Sequence, residues 1–149
     1  MIEYTVKVCP DGTKSWYLNG RLHREDGPAV ERVDGTKSWY LNGRLHREDG
    51  PAVERVDGGK WWYLNGRLHR EDGPAIEYSS GTKSWYLNDK RHREDGPAVV
   101  CFDGSKEWWL DGKPLTEEQF NEKMNPEVKE MTVEEISKLL GHEVKIVKG

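Results

Sequence analysis

DGTKSWYLNGRLHREDGPAVERV, residues 11–33, is followed at once by the same residues over 34–56. A third version starts at Asp57, a fourth at Ser80, and a fifth at Asp103 that loses the pattern after Leu115. A short, constant period means that each unit buries its apolar surface against its neighbours and not in one central core. The expected fold is mainly β: an elongated antiparallel β-hairpin repeat solenoid over residues 1–115, with a leading strand and copies starting at 11, 34, 57, 80 and 103. A small C-terminal α/β cap of helix, helix and strand is expected over 116–149.

The hairpins are read from the second copy. Thr36 to Leu41 (TKSWYL) and Ala52 to Val56 (AVERV) concentrate β-branched and aromatic residues in short runs, which predicts two strands. Asp34-Gly35 between copies is a two-residue hairpin signal. The return connection, Asn42 to Pro51, is longer and emerges along one edge of the sheet. Pleating sends Trp39 and Leu41 to one face and Tyr40 to the other, so both faces carry aromatic rows. A single twisted sheet cannot bury both unaided, so either one face meets the terminal helices, a second copy or a partner, or the tall Tyr and Trp side chains simply cover the sheet and stay half-exposed. Copy four carries Asn88-Asp89-Lys90-Arg91 in place of Asn-Gly-Arg-Leu, which predicts a different turn or a different contact there.

Ahead of the array, Tyr4, Val6 and Val8 alternate with polar residues as a strand that covers the first sheet edge. After it, Thr116 with Gln119 and Thr132 with Glu135 are capping boxes. They start helices that Asn125-Pro126 and Gly141 end. Val133, Ile136 and Leu140 share a helical face, with Leu139 beside them, which predicts that the second helix packs on something. His142 to Lys148 reads as a final strand.

Hydrophobic residues make up 34% of the chain and the mean hydropathy is -0.93, poor material for a thick core. Trp and Tyr dominate the aromatics, so a few large rings per unit must hold it. Net charge is -4 with both signs interleaved. Nothing resembles the basic face that phosphate-backbone binding needs, so no nucleic-acid partner is expected. No apolar run is long enough to span a membrane, and no basic, apolar-centred leader opens the chain. A cytoplasmic protein without membrane contact is expected. Cys9 and Cys101 hold the same register position four copies apart, about 38 Å at ordinary strand spacing, which predicts free thiols.

At the 23-residue spacing of Trp, Asn-Gly, His and Asp-Gly, residues 5–115 resemble MORN-type repeats, β-hairpins laid side by side in an elongated sheet. The usual unit has His-Gly-x-Gly after its Asn-Gly turn. Here that text is His46-Arg47-Glu48-Asp49-Gly50-Pro51-Ala52, a variant similar to repeats in proteins of bacteriophages, large DNA viruses and some bacteria. The resemblance implies an interaction surface without chemistry of its own. If the source is viral, it implies the host cytosol and a host protein, such as a defence protein, as the partner.

The loop row offers His23, Arg24, His46, Arg47, His69, Arg70, His92 and Arg93, each pair followed by Glu-Asp. Stacked units place these histidines about 10 Å apart, too far to share a metal whose ligand bonds are about 2 Å. No metal site and no cofactor is expected. Near-identical loops supply no unique pocket for acid-base work, and no nucleophile elbow or phosphate loop occurs, so no enzyme is expected. The arginines either pair with carboxylates of their own or the next loop, or offer forks to anionic ligands. The aromatic candidates for a partner surface are Trp61, Trp62, Trp108, Trp109, Tyr40 and Tyr63, because interface energy concentrates in Trp, Tyr and Arg. Three functions fit this pattern: a module that binds a host protein, a protein that sequesters a small anionic nucleotide-type ligand, and a structural scaffold that forms homo-oligomers.

Overall fold

Two turn types alternate along the chain, and together they set its architecture. The computed structural model describes residues 1–126, 131–145 and 147. Around Asp34, Gly35 N–H donates to the Arg32 carbonyl at 3.0 Å and Arg32 N–H donates to the Thr36 carbonyl at 2.9 Å, with Gly35 at φ 94°. This is a three-residue connection, a type I turn closed by a left-handed glycine, where Asp-Gly alone suggested two residues. At Asn42-Gly43 both residues take positive φ, 51° and 78°, the type I′ turn whose twist matches its flanking strands. It joins Tyr40–Leu41 to Arg44–Leu45. The expected long loop over 42–51 therefore opens as a second hairpin.

The strand expected over Thr36–Leu41 divides at Trp39. Lys37–Ser38 stays in the main sheet, while Tyr40–Leu41 belongs to the small hairpin. Trp39 is the pivot: its N–H donates to the Ala52 carbonyl at 2.7 Å, and its carbonyl accepts from His46 N–H at 3.0 Å. Trp16, Trp62 and Trp85 repeat the joint with Ala29, Ala75 and Ala98. The return strand is likewise short, Val53–Glu54 in place of 52–56.

The main sheet runs in sequence order as an antiparallel ladder. From Thr5–Val8 and Lys14–Leu18 it passes through alternating pairs such as Val30–Glu31 with Lys37–Ser38, and Ile76–Glu77 with Lys83–Ser84, to Lys106–Leu110 and Lys113–Leu115. Its register sets Glu31, Lys37, Glu54, Lys60, Glu77 and Lys83 directly across from one another with alternating sign. Opposite charges so placed each contribute about 0.2–1 kcal/mol. The alternate row carries Val30, Ser38, Val53, Trp61, Ile76 and Ser84. The core is thin: Ala29, Ala52, Ala75 and Ala98 are fully buried, with Ile76 and Val99 close behind. Thr5–Val8 covers the first edge as expected, and Cys9 and Cys101 are free.

The third copy is altered at three coupled places. Trp61 replaces the serine of the first, second and fourth copies and meets Tyr78 edge-on, with ring centroids 5.8 Å apart. Gly59 replaces the threonine of the same three copies, and a Cβ there would come within 2.7 Å of the Trp61 ring. Gly59→Thr is therefore expected to destabilise the protein by about 1–3 kcal/mol through overpacking. Adding Trp61→Ser, which restores the second copy's Thr-Lys-Ser over residues 59–61, is expected to recover most of that loss. A double-mutant cycle by denaturant unfolding checks this, and additive single effects would contradict it.

Helix α1, Glu117–Met124, packs on the strands Lys106–Leu110 and Lys113–Leu115 and buries Phe120, replacing the loop that the last copy lacks. Helix α2, Val133–Leu140, ends on Gly141 at φ 72°. Both capping boxes form. α2 departs from expectation, since Leu139 is 74% exposed, Leu140 57%, and none of its residues is buried. The final strand expected over His142–Lys148 is not formed at Glu143, Val144, Lys145 or Val147, while Ile146 and Lys148 lie outside the described residues.

Candidate functional site

The His-Arg-Glu-Asp loops form the most regular surface of the array, and each residue has one job in every copy. Histidine links a copy to the next. His23 Nδ1 accepts from Asn42 N–H, His46 from Asn65, His69 from Asn88 and His92 from Asp111, all at 2.9–3.1 Å. At His23, His46 and His69 an accepting Nδ1 assigns the ring proton to Nε2, which faces the glutamate two residues on at 3.5–3.6 Å, whereas His92 Nδ1 also lies 3.2 Å from the Asp111 carboxylate. The arginine amides add a second link. Arg24 N–H donates to the Tyr40 carbonyl and Arg47 N–H to that of Tyr63, both at 3.1 Å.

Arginine closes the loop on itself. Arg47 lies over the Trp39 ring at 4.0 Å, donates from Nε to Asp49 at 2.9 Å, and from Nη1 to the Pro51 carbonyl at 3.1 Å and to Glu54 at 2.9 Å. Arg24 and Arg70 repeat this over Trp16 and Trp62. Arg93 repeats it over Trp85 but has Val100 where the others have glutamate. The guanidinium forks are therefore spent inside the loop and only 22% of each of the first three side chains is exposed, whereas Glu48, Asp49, Glu71 and Asp72 are 84–86% exposed. The loop edge presents carboxylates.

Between successive loops lie three open grooves of about 710, 800 and 660 Å³. The middle one has Trp62, Leu64 and His69 on its floor and the loops of Arg47 and Arg70 as walls. The others repeat it one copy earlier, at Trp39, Leu41 and His46, and one copy later, at Trp85, Leu87 and His92. Apart from His23, every loop-edge residue named from the sequence thus falls on this row. Trp62 alone of the six aromatic candidates is on a groove floor. Trp61 lies against Tyr78 on the main sheet, and Tyr40 and Tyr63 give their carbonyls to the inter-copy links. Trp108 sits in the terminal hairpin on which α1 packs, and Trp109 donates from Nε1 to Glu107 at 2.9 Å with Arg91 over its ring at 5.0 Å. The aromatic candidates are thus spread over several surfaces. The pleat already placed Leu41 beside Trp39, but the leucines were not named as site residues, and the acidic rim was missed.

The loss of glycine in copy four produces a new contact and not a new turn. Asp89 holds φ 67°, and its carboxylate accepts from Leu68 N–H at 2.7 Å.

Among the described residues, no group of three or more His, Cys, Asp or Glu side chains is placed to hold a metal ion, and no helix is long and apolar enough to cross a membrane. No model of a known protein family matches the chain, and comparison with curated proteins finds no match.

Several carboxylates are held below their usual range. The Thr36 amide lowers Asp34 and the Thr13 amide lowers Asp11, while the Arg70 and Arg93 guanidiniums lower Asp72 and Asp95. A group whose folded pKa is depressed stabilises the fold above its unfolded pKa and loses that contribution as pH falls through the folded value. Stability is therefore expected to be level in the neutral range and to fall once pH drops below about 4. Denaturant unfolding at pH 7, 4 and 3 checks this, and an unchanged midpoint at pH 3 would contradict it.

Proposed function

We propose that this chain is a non-enzymatic protein-interaction module, a variant of the MORN-like type, whose row of loop grooves is the docking edge. The observation that carries this reading is the repetition of one groove three times, each with a Trp-Leu-His floor and a carboxylate rim. Identical open grooves suit an extended or repetitive partner. A catalyst needs one reacting centre enclosed from water. The resemblance to repeats of phages and large DNA viruses favours a host protein as the partner, met in the host cytosol, with inhibition of a defence protein as the outcome. An anionic nucleotide is disfavoured, because the arginines that would hold it are engaged by Asp, Glu, Pro carbonyls and Trp.

Capture from lysate of the natural host tests the docking edge by comparing wild type with a Glu48→Lys, Glu71→Lys, Glu94→Lys variant. These side chains are exposed and their removal leaves the arginine bonds intact. A partner held by wild type and lost by the variant is expected. A partner held equally by both would overturn the loop edge as the docking surface.

A second reading, self-association as a scaffold, has its own observation in the exposed Leu139 and Leu140 of α2. Concentration-dependent sedimentation abolished by Leu139→Glu, Leu140→Glu would support it; a monomer at all concentrations would remove it.

A further inference from the structure

The first loop lacks a preceding copy, and there the chain supplies a side chain of its own. Tyr4, from the segment ahead of the array, stacks on the His23 imidazole with centroids 6.4 Å apart and planes 27° from parallel. Its phenolic oxygen accepts from Glu25 N–H at 3.4 Å. Under this cover the His23 side chain falls to 7% exposure, against 12–14% for His46, His69 and His92. In the later copies no described residue stacks on the histidine ring in this way, and the amides of Glu48, Glu71 and Glu94 have no acceptor among the described residues. A volume of about 660–800 Å³ stands open beside each of those three rings. A phenol side chain occupies a small part of it.

We propose that each open groove receives a tyrosine side chain from a partner polypeptide, seated as Tyr4 is seated on His23. The ring would lie on the histidine and the hydroxyl oxygen would accept from the glutamate amide. Residues flanking that tyrosine would be basic, because the walls present Glu48, Asp49, Glu71 and Asp72 as exposed carboxylates. This inference rests on the loop edge being the docking surface, and it adds the chemistry of the segment that docks. One groove per 23 residues means that a partner with several such tyrosines gains avidity by engaging successive grooves.

The probe is acetyl-Lys-Tyr-Lys-amide, titrated into the full chain while backbone amides are followed by NMR. Saturable shifts are expected at the amides of Glu48, Glu71 and Glu94, with Glu25 silent because Tyr4 occupies its site. Acetyl-Lys-Phe-Lys-amide is expected to bind about fivefold more weakly, the value of one lost hydrogen bond of about 1 kcal/mol. Acetyl-Glu-Tyr-Glu-amide is expected to bind more weakly still. In Tyr4→Ala, Glu25 is expected to respond as a fourth site. Tyr4→Phe, which keeps the ring in place, is expected to leave Glu25 silent. Shifts elsewhere, equal binding of the three peptides, or a silent Glu25 in a folded Tyr4→Ala would each overturn the inference. If no peptide binds while lysate capture remains sensitive to the Glu→Lys variant, the tyrosine inference fails and the docking edge stands. Loss of both results would remove the docking edge as well.

Discussion

Arg47→Ala is expected to lower the free energy of unfolding by about 3 kcal/mol, the sum of charged hydrogen bonds and a stacked cation whose removal also leaves the Pro51 carbonyl and Glu54 without their donor. Arg47→Lys is expected to recover less than half of it. An ammonium cannot lie flat on Trp39 while its donors reach Asp49, Pro51 and Glu54. Arg44, three residues earlier and exposed beyond the type I′ turn, is the control, and Arg44→Ala is expected to change stability by no more than about 0.5 kcal/mol. Urea unfolding of the three variants separates a structural arginine from a free one. Equal effects at 44 and 47 would contradict the closed loop.

Ala75→Leu is expected to cost about 2–3 kcal/mol, because a fully buried methyl has no room to grow and the backbone there is tied to Trp62 N–H at 2.8 Å. The damage should stay local. In an array where each unit contacts only its neighbours, hydrogen exchange is expected to quicken in the third and fourth copies while the ladder around Ala29 stays protected. Uniform loss of protection from the first copy to the last would contradict a one-dimensional architecture.

The parts of this fold that were legible in the sequence are those written within a few residues. The 23-residue period, the Asp-Gly turns and both capping boxes depend on local spacing, and each appears where expected. The pivot at Trp39 was not legible, because a ladder of two residue pairs is too short for alternation to show where one hairpin stops and the next begins. The stacking of Arg47 on Trp39 was hidden for a different reason. The two are eight residues apart and meet only because the loop folds back over the ring. Carboxylate pairing within the loop was one of two open readings of the arginines, and the geometry selects it. The grooves need two successive loops for their walls, so no single copy displays them. The amphipathic pattern of α2 was legible, but the burial it implied is missing from the described residues.

Each copy is an interchangeable unit held by its neighbours, and excision of one copy tests this. Removing residues 34–56 joins Val33 to Asp57, a junction identical to the natural Val56-Asp57. The expected product is folded, shorter by about 10 Å in small-angle scattering, with amide protection retained in the copies on both sides of the junction. A chain that loses protection throughout, as a single shared core would, contradicts the repeat architecture.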